Sequence, residues 1–150
     1  MNLQEELKSL KERIAELEEQ AKEEREFPQD GDAYWYINPL GFAFHDEWSG
    51  LISERHKIEI GNVFKTKEQA DFAVEKLKVE SELRKFSKPF KNGQPNCNII
   101  LSDNENVSTA YWKEIQTQGS IYFESEEKAQ QAIESVGIDR IKKYLFGVED

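Results

Sequence analysis

Leu3, Leu7, Leu10, Ile14, Leu17 and Ala21 recur at spacings of 4, 3, 4, 3 and 4. That alternation is a heptad seam, with Leu7, Ile14 and Ala21 at the a positions and Leu3, Leu10 and Leu17 at the d positions. Residues 1–26 are therefore expected to form one helix that pairs with a copy of itself. The flanking sites carry charge: Glu6, Arg13 and Gln20 at g, and Lys11, Glu18 and Arg25 at e. In a parallel dimer each g side chain faces the e side chain five residues on, which matches Glu6 with Lys11 and Arg13 with Glu18. An antiparallel pair centred on the same heptads sets Arg13 against Arg13. The dimerisation residues are then Leu3, Leu7, Leu10, Ile14 and Leu17. The competing reading is an amphipathic helix folded onto its own domain, but a strict a/d stripe is narrow for that role. Phe27-Pro28 stops the helix, and 27–32 reads as a turn or linker.

The pattern then changes period. Ala33–Ile37 is aromatic and β-prone, and Asn38-Pro39-Leu40-Gly41 has the residue order of a type I turn. Phe42–Trp48 and Arg55–Ile60 read as two more strands, which makes an antiparallel meander. Thr66 with Gln69 three residues on signals a helix start, and that helix is expected to run to Phe86. It carries two apolar faces. Ala70, Ala73, Val74 and Leu77 form one, and Phe72, Val79, Leu83 and Phe86 lie nearly opposite. The first is expected to pack on its own sheet. The second is expected to meet the coiled coil, the second half of the domain or a partner subunit.

The order recurs after a loop at 87–97. Asn98–Leu101, Val107–Trp112 and Ile121–Phe123 read as strands, and Ser125 caps a helix that ends at Gly137. Asp139 is placed as the cap of a last short helix. Sliding Gly61–Leu77 by 59 positions (123 minus 64) sets Phe64 on Phe123, Thr66 on Ser125, Ala70 on Ala129 and Leu77 on Val136. The fold class expected is α+β: an N-terminal coiled-coil helix, then two tandem antiparallel βββα units sharing one core. The units span 33–86 and 97–148 within a domain of 33–150.

Composition narrows the function. The formal net charge is −10, with 33% charged residues. Such a surface repels phosphate backbones, so direct nucleic-acid binding is disfavoured, whereas an acidic face can imitate nucleic acid toward a basic partner. Cys97 is the one cysteine, which rules out an internal disulfide and suits a reducing compartment. No apolar run is long enough to cross a bilayer and no signal peptide is evident, so a cytoplasmic, non-membrane protein is expected.

Candidate chemistry is sparse. His45, Asp46, Glu47 and His56 are metal-ligand types, yet their spacing fits no zinc pattern. Glu54, Lys57 and Glu59 resemble the charged clusters of metal-dependent nucleases, but lack a spaced upstream Asp. No nucleophile motif or glycine-rich phosphate loop is present. Neither catalysis nor a cofactor nor a bound metal is expected. The aromatic strands are more informative. The outward half of Tyr34, Tyr36 and Trp48, or of Trp35 on the other face, is a candidate partner anchor. Glu126 and Glu127 provide acidic surface at a helix start.

The segments 34–37, 61–70, 121–127 and 139–148 resemble a group of small proteins encoded by phages and mobile elements of Gram-positive bacteria. The resemblance covers most of 33–148. It implies a phage accessory protein, a class that often inhibits host defence, anti-CRISPR proteins among them. The function expected is thus non-enzymatic binding of a host defence protein, plausibly a CRISPR nuclease in the host cell. The alternatives are a scaffolding protein oligomerised by its coiled coil, and an oligomeric sponge for a signal nucleotide.

Overall fold

A computed structural model describes residues 2–149. The chain is α+β: a long N-terminal helix followed by two small antiparallel sheets and their helices. No helix among the described residues is long and apolar enough to cross a membrane.

Helix α1 spans Leu3–Glu24. Its start is locally encoded. The Glu5 N–H donates to Asn2 Oδ1 at 2.8 Å and the Asn2 N–H donates to Glu5 Oε2 at 3.1 Å, a reciprocal cap. No residue of α1 is buried. After it, Arg25 pairs with Asp32, whose carboxylate also accepts the Gln29 N–H at 2.8 Å. These contacts give the 27–32 turn a defined shape.

Strands β1 (Ala33–Ile37) and β2 (Ala43–Glu47) pair antiparallel, with Trp35 opposite His45 and Tyr36 opposite Phe44. The intervening turn is held by Asn38, whose Oδ1 accepts the N–H groups of Leu40 and Phe42 at 3.1 and 3.0 Å. Gly41 supplies the positive φ of 86° that this turn needs.

The third strand expected at Arg55–Ile60 is instead helix α2 (Ile52–Glu59). Alternation over six residues cannot separate strand from helix. The deciding contacts are those of Glu54, whose Oε1 accepts the Ser49 N–H at 2.9 Å and the Leu51 N–H at 3.0 Å, closing a helix start. A single antiparallel bridge, Trp35 opposite Phe64, stands where the strand was expected. Asn62 clamps it by bonding both the N–H and the carbonyl of Ile37, at 2.7 and 2.9 Å.

Helix α3 spans Lys67–Arg84, two residues short of the expected end at Phe86. Thr66 Oγ1 accepts the Gln69 N–H at 3.2 Å. The return arm differs from a strict capping box, because Gln69 Oε1 accepts from Lys65 rather than Thr66.

The second sheet has the order β4-β3-β5, from β3 (Asn96–Leu101), β4 (Val107–Trp112) and β5 (Tyr122–Phe123), all antiparallel. Cys97 lies between Tyr111 and Phe123. Ser125 caps α4 (Glu126–Val136) by accepting the Lys128 N–H at 3.2 Å, and Gly137 ends it with φ 101°. The last helix starts at Ile138, so Asp139 lies in its first turn rather than at its cap. It widens into a π turn over Ile141–Leu145.

The main core joins Val79 and Leu83 of α3, Cys97 and Ile99 of β3, Phe123, the α4 face Ala129, Ala132, Ile133 and Val136, and Ile141. The second face of α3 thus meets the C-terminal half of the domain, one of its three expected destinations. Phe72, assigned to that face, packs its ring at a tilt against Tyr144, with centroids 5.1 Å apart. Tyr34 and Ala70 are buried outside this cluster. One core shared by both sheets was expected, and the cluster instead draws on α3 and the C-terminal half. Only two paired strands flank α3 on the N-terminal side, and they seal little volume.

Candidate interaction surfaces

The residues assigned to dimerisation lie on α1 with nothing over them. Leu3, Leu7, Leu10, Ile14 and Leu17 are exposed by 47% to 82%. Five large apolar side chains in a row on one uncovered helix form a patch of the kind that marks an association surface. The alternative of a helix folded onto its own domain is overturned, since α1 buries no residue.

The aromatic anchors divide. Tyr34 has no exposed surface, so it is structural and cannot touch a partner. Its ring meets Trp48 edge-on at 5.6 Å and Tyr36 at 5.8 Å. Lys57 Nζ donates to the Tyr34 hydroxyl at 3.3 Å and sits 3.7 Å from the Tyr36 ring centre. Burial, and then the Glu54 carboxylate beside it, push the Tyr34 hydroxyl well above the usual tyrosine range. Glu54 is itself 2% exposed. Burial alone raises its pKa, but the Leu51 and Ser49 N–H groups, the Tyr34 hydroxyl and the Lys57 charge together hold it below the usual range. Strand alternation left open whether Tyr34 and Tyr36 or Trp35 faced outward, and Tyr34 is buried beside Glu54 and Lys57 of the helix found where the third strand was expected. Tyr36 and Trp48 keep partial exposure.

Glu126 and Glu127 are exposed in the first turn of α4, where the helix dipole favours anions. The Glu126 N–H donates to the Tyr111 hydroxyl at 2.9 Å, which ties the start of α4 to β4. His45 packs its ring on Trp35 and Phe44, at 5.0 and 5.8 Å, while His56 faces Glu59 along α2. Among the described residues no group of three or more His, Cys, Asp or Glu side chains is placed to hold a metal ion. Cys97 is buried, and that burial, with the Glu126 charge, pushes its thiol up and away from reactivity.

One surface was missed by the sequence reading. Two adjoining depressions of about 360 and 670 Å³ run along α3 and share Ile37 and Leu77. Val74 and Gly41 line the first, and Ile60, Phe64 and Ala73 line the second. Leu77 had been assigned to the sheet-facing side, yet it is 54% exposed, and Ile60 beside it is 78% exposed. The sheet ends too soon to cover the C-terminal half of this face. The signal available in sequence was the length of α3, which outruns a two-stranded sheet.

No family model matches the chain, and neither does any curated protein or solved structure.

Proposed function

We propose that this protein is a non-enzymatic, homodimeric binding protein, held together by α1 as a parallel coiled coil. The observation that carries this reading is the uncovered Leu3–Leu17 stripe on a helix that buries nothing of its own. Helices in proteins draw most of their stability from packing of an apolar face, and a self-pairing seam would give α1 the packing that its own domain does not. The pairs Glu6–Lys11 and Arg13–Glu18 favour the parallel register. Leu17→Cys tests it. In a parallel dimer the two d-site thiols meet, and mild oxidation gives a covalent dimer on a non-reducing gel. An antiparallel pair separates them, and the absence of a crosslink alongside a dimer by sedimentation refutes the parallel reading.

We read the globular part as two related units. Phe64 pairs with the first strand of its half at Trp35, and Phe123 pairs with the first strand of its half at Cys97. Thr66 and Ser125 then cap the following helices in the same way. This parallel supports a duplication in which the third strand of the first copy is reduced to the bridge at Phe64, and α2 fills the stretch between its second strand and that bridge.

The partner class comes from the resemblance to phage accessory proteins: a host defence protein, with a CRISPR nuclease as the leading candidate. Its basic nucleic-acid channel would receive the acidic surface around Glu126 and Glu127, with Tyr36 and Trp48 as apolar anchors. Reversal to Glu126→Lys/Glu127→Lys is expected to weaken binding to such a nuclease and to reduce its salt dependence. Unchanged affinity and salt slope would reject mimicry.

A further inference from the structure

Helix α3 leaves the C-terminal part of its sheet-facing side open to solvent, and its charge layout selects what covers it. Ala73, Val74, Leu77 and Ser81 lie within one sector of the helix at 100° per residue. Leu77 is the one large side chain among them and stands 54% exposed, with Ser81 a turn further on. Lys76 and Glu80 rim one side of this sector, and Lys78 and Glu82 rim the other. On both flanks the order along the helix is basic, then acidic four residues later.

That order is self-complementary under a two-fold axis. A two-fold axis lets a helix meet a copy of itself either parallel or antiparallel, and in the antiparallel case each flank meets its own counterpart. Lys76 then faces the partner's Glu80, and Lys78 faces the partner's Glu82, each pair occurring twice. Leu77 meets the small Ser81 of the copy, which allows close approach. A parallel arrangement instead crosses the flanks and sets Lys76 near Lys78, and Glu80 near Glu82. We infer that the α3 groove is a homotypic interface, closed by α3 of a second copy of this chain in antiparallel orientation.

The rim charges differ in how far they are already engaged within the chain. Lys76 forms no ion pair with another described residue. Glu80 meets Arg84 only at 3.5 Å, and Lys78 meets Glu75 at 3.2 Å, both on an exposed helix surface where such pairs hold weakly. Glu82 pairs with Arg140 at 2.7 Å, which keeps its carboxylate ionised and fixes it at the edge of the groove. The flanks of α1 pair in the parallel sense and those of α3 in the antiparallel sense. If the two contacts share one axis the assembly is a dimer, and if they do not it is a tetramer or larger.

Full-length variants separate this contact from the α1 seam. Leu10→Glu/Ile14→Glu breaks the seam in a helix that contributes nothing to the core, so the rest of the fold stays intact. By sedimentation equilibrium that variant is expected to remain a reversible dimer through α3. Adding Leu77→Glu should raise its dissociation constant by at least about tenfold. Adding Lys76→Glu instead should weaken it by roughly 3- to 10-fold, as two exposed pairs become repulsive. The reciprocal Lys76→Glu/Glu80→Lys restores opposite charges and should recover the starting constant at low salt. Recovery by the swap distinguishes pairing from damage to the fold. A seam variant that is monomeric at every concentration, or a swap no tighter than the single reversal, overturns the inference. A seam variant that dimerises as tightly as the wild type supports the α3 contact and removes α1 from the dimer, which refutes the coiled coil while leaving the α3 interface standing.

Discussion

Helices α3 and α4 begin alike and are used differently. Each follows a short β segment ending in phenylalanine, and each is capped by a hydroxyl side chain. Each carries the pattern Ala, Ala, β-branched, apolar along one face: Ala70, Ala73, Val74 and Leu77, against Ala129, Ala132, Ile133 and Val136. In α4 the whole face is buried, Val136 being 4% exposed. In α3 burial of that face is complete only at Ala70, and Leu77 is left 54% exposed. The two sheets explain the difference. Three strands and the terminal helix close around α4, whereas two strands and one bridge face α3. An apolar stripe states that a helix needs cover, and the amount of neighbouring structure decides how much it gets. The rest of α3's burial comes from its opposite face, where Val79 and Leu83 enter the C-terminal core.

The comparison can be broken most sharply at the two phenylalanines. Phe123→Ala removes a fully buried ring from the main core and should cost about 3–5 kcal/mol in urea denaturation. Phe64 is half-buried at a single bridge, so Phe64→Ala should cost clearly less. Equal losses would mean that the N-terminal half is packed as tightly as the C-terminal half. Next come the opposed leucines of α3. Leu83→Ala should cost about 2–5 kcal/mol, and Leu77→Ala should stay within about 0.5 kcal/mol in a protein held monomeric. A large loss at Leu77 would show that its face is covered within the monomer.

The caps should behave alike in both halves. Thr66→Ala and Ser125→Ala each remove one acceptor for an orphan N–H and should cost about 1 kcal/mol, read by thermal denaturation. The smallest effect is a pH dependence confined to the N-terminal half. The Glu54 carboxylate titrates below its ordinary value in the folded chain. Its stabilising effect is therefore full above the unfolded pKa of about 4.3 and is lost as pH falls through that value toward the folded one. Glu54→Gln should flatten the acid limb of the stability curve. An unchanged limb would mean that the other carboxylates held low, Asp32 by the Gln29 N–H and Arg25 and Glu82 by Arg140, govern it instead.

Much of the C-terminal half could be read from its residues. The 107–112 strand, the Ser125 start and the Gly137 stop of α4 all fall where local signals place them. Those signals are short-range: a hydroxyl beside free N–H groups, a glycine at positive φ, an alternation of six residues. The N-terminal half was harder because its third segment satisfies two periods at once. Isoleucines at 58 and 60 fit a strand, while Glu54 three residues after Leu51 fits a helix start, and the backbone of Ser49 and Leu51 settles the choice. Tyr34 illustrates the consequence for the candidate site. Its position on β1 is local information, but its burial depends on α2, Trp48 and Lys57 arriving from later in the chain.

The sequence by itself determined the elements with strong caps and a clean period: the α1 stripe, both capped helices and the aromatic strands. Each rests on contacts within a few residues, which the chain carries with it wherever it folds. The tertiary structure alone decided which apolar faces find cover. It buried Tyr34, sent Val79 and Leu83 into the far core, and left Leu77 and the whole of α1 without a partner inside the monomer. Coverage depends on how many strands stand opposite a helix and how far they extend, and no single stretch of chain holds that quantity.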